Sequence, residues 1–285
     1  MKNNRILTIQ DISCVGQCSL TVALPILSAC GLETAVLPSA VLSTHTAGFT
    51  GYTFRDLTED MDAIRAHWEK ENLRFDAIYT GYLGSREQIG HVKRIAASLC
   101  RGEGIVIVDP AMADNGRLYP GFDAAFVEEM KSLCAEADFL LPNITEACFL
   151  SGMPYRESYD EDYIRRLLAA VCANERQTVV LTGVSYSADT TGVVVYQAGE
   201  LQYYRHPKHP KGCHGTGDVY ASAFTGALLR GRSAFDAARI AADYTLCCIR
   251  YTANDPDHWY GVRFEPVLPA LMESLPEKGG DALPL

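Results

Sequence analysis

Apolar residues along this chain fall into two patterns that alternate: short, nearly unbroken runs and longer stretches with helical spacing. Arg5–Gln10 is a short apolar run that ends at Asp11-Ile12-Ser13. Cys18–Cys30 follows, with Leu20, Leu24 and Leu27 at helical spacing and Gly31 to close it, and Ala35–Leu42 reads as a second strand. Short apolar runs bounded by turn residues predict strands, and i, i+3, i+4 spacing predicts helices. The alternation continues with a helix at Met61–Glu71, a strand at Ala77–Leu83, a helix at Glu87–Cys100 and an all-apolar strand at Gly104–Asp109. After a helix at Ala124–Ala135 come a short strand at Phe139–Pro142, a helix starting near Glu146, another at Tyr163–Ala173 and a strand at Thr178–Gly183. Gly192–Gln197 and Leu201–Arg205 read as a hairpin across Ala198-Gly199-Glu200, and helices at Ser233–Tyr251 and Leu268–Leu275 follow. Two stretches read as loops, the Thr- and Gly-rich Ser43–Gly51 and the polar Ala113–Gly121, a mobile flap. Strands alternating with helices predict an α/β protein with one mostly parallel sheet and helices on both faces. No linker-like shift divides the chain, so residues 1–275 are expected to form a single domain, with a loose tail at 276–285.

One stretch carries more than a structural pattern. In Lys211–Arg230, Val219, Ala223 and Ala227 fall at i, i+4 and i+8, and Tyr220, Phe224 and Leu228 fill the neighbouring stripe. That helix is expected to be buried on most of its circumference. Gly215-Thr216-Gly217 precedes it, and glycines there let the backbone bare the unpartnered N–H groups of a helix start. With about +0.5 elementary charge from the aligned peptide dipoles, this is a socket for a phosphate. Asp218 stands at its mouth. A carboxylate there repels a phosphate, unless its work is to take the proton of an alcohol that attacks the phosphate. The plainer reading makes Asp218 the N-cap of the helix.

Composition narrows the classes. Hydrophobic residues make up 48% of the 285, ample for an extensive core, and the formal net charge is −10 with no basic block. Nucleic acid and anionic membrane surfaces are therefore poor partners. The ten cysteines include no CxxC pair and lie mostly in apolar helical runs, where a free thiol behaves as a small hydrophobe. The N-terminus lacks a signal-peptide pattern and no apolar run reaches membrane-spanning length, so a cytoplasmic protein is expected.

In parallel sheets ligands gather outside the carboxyl ends of the strands. The polar residues predicted there are Asp11, Tyr82, Asp109, Asn143 with Glu146, and Thr182. Carboxylates gathered against an anion socket imply a bound cation, and Mg²⁺ fits because it keeps its waters and takes one or two protein carboxylates beside phosphates. Each residue has a structural alternative. Asp109-Pro110 can simply end a strand, and Asn143 with Glu146 can be a turn followed by a first-turn helix acid. His45 can be a satisfied core histidine, Tyr82 can only pack, and Cys213 and His214 can only shape the turn.

The segments ILTIQD (6–11), LSTHTAGFTG (42–51), YTGYLGS (79–85), VDPAMAD (108–114), LLPNITEACFLSG (140–152) and CHGTGDVYASAF (213–224) together resemble the pyridoxal kinases of the ribokinase-like superfamily. The resemblance implies a three-layer α-β-α fold and ATP-dependent phosphorylation of the 5′-hydroxymethyl group of a B6 vitamer. It makes Asp218 the catalytic base and the amides of Gly215, Thr216 and Gly217 the anion hole for the transferring phosphoryl group. It assigns Asp109 and Glu146 to Mg²⁺, and Asp109, Asn143, Thr182, Lys211, Gly215 and Gly217 to ATP. Asp11, His45, Thr46 and Tyr82 then line the vitamin ring, and Asp114 to Tyr119 form a flap over the phosphates. It also admits a monovalent cation (K⁺) and implies a homodimer. Beside a helix terminus, Asp218 is expected to keep a low pKa. Two departures stand out. Asp11 replaces the Ser usual in pyridoxal kinases, which favours a cationic partner such as pyridoxamine. His214 is similar to the hydroxymethylpyrimidine kinases of thiamine biosynthesis, although those end the motif in Cys where this chain has Asp218. A hydroxymethylpyrimidine kinase and a non-catalytic vitamer-binding protein are the alternatives.

Overall fold

A computed structural model describes residues 4–210 and 212–275; the expected tail at 276–285 lies outside the described residues. Strand β1 (Arg5–Ser13) lies inside a nine-stranded sheet, flanked in parallel by β2 (Glu33–Leu42) and β4 (Phe75–Thr80). Beyond β2, the short β3 (Phe54–Asp56) adds an antiparallel edge. Beyond β4 the sheet continues in parallel through β5 (Cys100–Val108), β8 (Phe139–Leu140) and β9 (Thr178–Ser187). It ends in the antiparallel β10 (Thr190–Gln197) and β11 (Glu200–Pro207), the predicted hairpin.

The inner strands are apolar on both faces because both faces are covered. On one face, Leu7, Ile9 and Ile78 meet α2 (Thr58–Lys70), α3 (Arg86–Leu99), α4 (Ala124–Cys134), α5 (Ile144–Ser151) and α6 (Glu161–Val171). On the other, Ile6, Tyr79 and Ile107 meet α1 (Leu20–Ala29), α7 (Thr216–Leu229), α8 (Ala234–Ala253) and α9 (Leu268–Ser274). This is the three-layer α/β arrangement expected. Helix α7 is buried from Val219 to Ala227, as its double apolar stripe requires, and Gly231 beyond it takes a positive φ of 87°. Ser233 Oγ accepts the Asp236 N–H at 3.1 Å, capping α8.

Two elements were not legible in the hydrophobic pattern. One is β3, three exposed residues whose pairing with β2 comes from the sheet edge and not from burial. The other lies in the flap, where β6 (Ala113–Asp114) and β7 (Arg117–Leu118) form a miniature hairpin. Its turn is Asn115-Gly116, with φ of 50° and 75°, the dipeptide that two-residue hairpins favour. Among the described residues no cysteine is joined in a disulfide. Among the described residues no helix is long and apolar enough to cross a membrane.

The chain leaves β1 toward β2 on one side and returns to β4 on the other. This reversal opens a crevice at the carboxyl ends of the central strands, where ligands of open α/β sheets bind.

Candidate active site

Helix α7 enters that crevice without a side-chain cap. Its N-cap is Gly215, in the left-handed region at φ 81°, and the first intrahelical bond is Val219 N–H to the Gly215 carbonyl at 3.0 Å. Only glycine fits at 215, since a Cβ would stand 2.2 Å from the Gln17 carbonyl oxygen as well as at an unfavourable φ. Thr216 braces the turn by donating its hydroxyl to the Cys213 carbonyl at 3.2 Å. Asp218 is therefore not the N-cap; it is the third residue of the first turn.

The Asp218 carboxyl is partly open to the crevice, accepts the N–H of Ser19, and is pushed up to about 7, by burial first and then by the charge of Asp11. The expected low pKa is thus corrected: loss of water around this carboxyl outweighs the helix terminus. Ser19 was missed as a site residue. It sits at φ 54° and bridges back to Ile12, an arrangement made by the loop and not by local sequence preference.

Three further carboxylates surround this point. Asp109 follows β5, and its pKa is driven well above the ordinary value by burial and by the neighbouring charges of Glu146 and Asp218. Glu146 is buried, and its carboxyl is pushed up to about 7, chiefly by desolvation. Its oxygens accept the N–H groups of Asn143 (2.8 Å) and Met112 (3.1 Å), while Asn143 Oδ1 accepts the Glu146 N–H at 2.9 Å. This is a complete capping box on α5, so the structural alternative for this pair is realised. Asn143 Nδ2 also donates to the Ala113 carbonyl at 2.8 Å, anchoring the flap hairpin. Thr182 lies alongside, its N–H donating to the Pro142 carbonyl at 2.9 Å and its backbone bridged to Asn143. The flap carries Tyr119 back toward the same carboxylates. Burial, followed by the charges of Glu146, Asp109, Asp114 and Asp218, drives its hydroxyl far above the usual tyrosine range. Asp114 itself is exposed and accepts the Asn115 N–H at 2.8 Å.

The fourth carboxylate opens the other half of the crevice. Asp11 falls at a register shift between β1 and β2, is 5% exposed, and accepts the Ser13 hydroxyl at 2.9 Å. Burial raises its pKa while the Ser19 and Ser13 hydroxyls oppose the rise. Tyr82 stands close by: its hydroxyl is pushed up to about 12 by burial, then by Asp11 and Tyr52. His45 is buried with both ring nitrogens engaged. Nδ1 accepts the Ala47 N–H at 3.0 Å and Nε2 lies 2.5 Å from the Tyr260 carbonyl, which fixes the Nε2–H tautomer. Its ring stands 5.0 Å from the Phe49 ring and 5.7 Å from the His214 ring. Thr46 is exposed beside it, and Lys211 lies outside the described residues.

An uncapped helix start, a carboxylate poised near neutrality and a second carboxylate facing it suit the transfer of a phosphoryl group to a small alcohol. Fold and site thus define a small-molecule kinase of the ribokinase-like superfamily. The chain belongs to the phosphomethylpyrimidine kinase family, whose model matches residues 27–262. Among solved structures, it is similar to a Bacteroides thetaiotaomicron protein provisionally described as a phosphomethylpyrimidine kinase, crystallised with pyridoxal (36% identity, TM-score 0.87, covering 95% of this chain and 96% of that one). It is also similar to pyridoxal kinase from Lactobacillus plantarum (33% identity, TM-score 0.88, covering 95% and 97%). A hydroxymethylpyrimidine/phosphomethylpyrimidine kinase from Bacillus subtilis is 28% identical over 72% of this chain and 74% of its own length.

Proposed function

We propose that this protein is an ATP- and Mg²⁺-dependent kinase that phosphorylates the 5′-hydroxymethyl group of a B6 vitamer in the cytoplasm. The observation that carries the reading is Asp218, held by the Ser19 N–H beside the bare first turn of α7. A base near pKa 7 is matched to taking a hydroxyl proton at neutral pH. The amides of residues 215–217 receive the phosphoryl oxygens, whose charge the helix terminus stabilises as it spreads in the transition state.

The acidic pocket fits Mg²⁺. Asp109 is forced toward its neutral form by burial first and then by its acidic neighbours, and a cation would relieve the repulsion from those neighbours. Among the described residues no group of three or more His, Cys, Asp or Glu side chains stands ready to hold a metal unaided. Mg²⁺ keeps most of its waters and takes one or two protein carboxylates beside phosphates. Asp109 would hold it directly. Glu146, with its oxygens given to N–H groups, would act through water. When bound, Mg²⁺ neutralises phosphate charge. Thr182 lies where ATP is expected, and Asp114 and Tyr119 cover the phosphates.

Pyridoxal in the Bacteroides relative and the pyridoxal kinase from Lactobacillus support the B6 vitamer. The family description and the Bacillus relative favour a second reading, a hydroxymethylpyrimidine kinase. Substrate-dependent ADP release separates them: turnover is expected with pyridoxal, pyridoxine or pyridoxamine, and turnover with hydroxymethylpyrimidine alone would reverse the assignment. Asp11 points to the amine among the vitamers, because an ammonium beside this buried carboxyl restores its charged form. Asp11→Ser is expected to lower the kcat/KM ratio of pyridoxamine to pyridoxal by about tenfold; an unchanged ratio removes Asp11 from specificity.

A further inference from the structure

Beneath Asp218 lies a layer of buried polar side chains that the chemistry above does not use. On the sheet face that packs against α7, β1 presents Thr8 and Gln10 and β4 presents Tyr79, the partner of Thr8 across the strand pair. Helix α7 presents Ser222, one turn beyond Asp218 and on the same side. All four residues are 0% exposed. Gln10 Nε2 donates to Thr8 Oγ1 at 2.8 Å, and Gly81 makes room for the amide, since a Cβ there would stand 2.6 Å from Gln10 Oε1.

Gln10 Oε1, Tyr79 Oη and Ser222 Oγ are buried without a hydrogen-bond partner of ordinary geometry. Yet Tyr79 faces both Ser222 and Gln10, and its hydroxyl feels the charges of Asp109 and Asp218. Unpaired polar atoms at such depth oppose folding, and each calls for an explanation. Here the Tyr79 hydroxyl lies within hydrogen-bonding reach of both Ser222 and Gln10, so a small rotation of the hydroxyls pairs the three groups directly. A hydroxyl free to rotate beside two carboxylates turns its proton toward their field.

We propose that Tyr79 is a positioning residue for phosphoryl transfer. Joined directly to Gln10 and Ser222, it seats the first turn of α7 on the sheet and so sets where Asp218 stands relative to Asp109. Tyr79 suits this role because its phenol rises from the centre of the sheet and lies within the field of both carboxylates. The assignment rests on the kinase reading above.

The test compares the full-length parent with Tyr79→Phe, Ser222→Ala and the double variant. It measures kcat per ADP-binding site, KM for ATP and for the vitamer giving the fastest ADP release, and Tm. Small misplacement of reacting groups lowers turnover steeply, so each single variant is expected to lose about tenfold in kcat with KM within about twofold. Because the residues share one network, the double variant should lose no more than the worse single one. Unchanged kcat per binding site with a lowered Tm would make the layer packing only and overturn the proposal. Additive losses in the double variant would overturn the shared network. Should Tyr79→Phe fail to fold, Ser222→Ala decides the same question by the same two readouts. A parent without kinase activity is a different result, and sinks the functional reading itself.

Discussion

Helices α5 and α7 both begin at the carboxyl edge of one sheet, and both carry an acidic residue at the third position of the first turn, Glu146 and Asp218. They use it in opposite ways. At α5 the N-cap is Asn143, the capping box is closed, and Glu146 turns back onto the N–H of its own N-cap and onto Met112. At α7 the N-cap is a glycine with no side chain to give, and Asp218 takes its hydrogen bond from Ser19 on another loop. One terminus satisfies itself and becomes a rigid anchor for the flap. The other has no side-chain cap, and its carboxylate is held from another loop and not by its own N-cap. The same acid at the same helical position is structural or chemical according to whether the residue three places before it can close the box.

Four measurements can break this comparison, beginning with the largest effect. Asp218→Asn should keep ligand binding and lose at least about a thousandfold in kcat, within the range for removal of a general base. Retained turnover would make Asp218 a mere helix acid like Glu146, whereas a protein that never turns over is a binding protein. Gly215→Ala should cost about a hundredfold in kcat and lower Tm, because its Cβ meets the Gln17 carbonyl and its φ of 81° is strained. Wild-type turnover in that variant would show that the open turn needs no glycine.

At the closed terminus the effects change kind. Asn143→Ala removes the cap of α5 and the link to Ala113, so denaturant unfolding should show a loss of about 1–2 kcal/mol. Its kcat should fall only severalfold, through a loosened flap. A thousandfold loss with unchanged stability would place Asn143 in the chemistry instead.

The smallest effect is in pH. A carboxyl raised from 3.8 to about 7 keeps its proton in the folded state where the unfolded chain has lost it. Stability from this group is therefore lost as pH rises between about 4 and 7. Asp218→Asn, which cannot ionise, should melt a few degrees higher than the parent at pH 8, the gap closing near pH 4. A variant that melts lower at pH 8 would mean the charged carboxylate is stabilised in place.

Much of the frame was legible because burial imposes periodicity. The strands at β1, β4 and β5 and the mostly apolar α7 follow from runs that the covering layers require. The miniature hairpin was missed although Asn115-Gly116 announces it, because the flanking residues are too few to show alternation. Asp109 and Asn143 do follow the ends of β5 and β8, but Asp11 and Thr182 lie inside β1 and β9, and the bonding of the candidates was not legible. His45 gives both ring nitrogens to the backbone, and Glu146 proves to be half of a capping box. Such partners lie on other elements, and local pattern carries no information about them.

By itself the sequence determined the alternation of strand and helix, the glycine-bearing start of α7 and the acid within its first turn, since each is written in neighbouring residues. Only the tertiary structure decided that Asp218 is raised toward neutrality, that Ser19 holds it, and that Asp11 and Asp109 share its surroundings. Charge and hydration depend on what folds nearby in space, and those neighbours come from strands and loops far away along the chain.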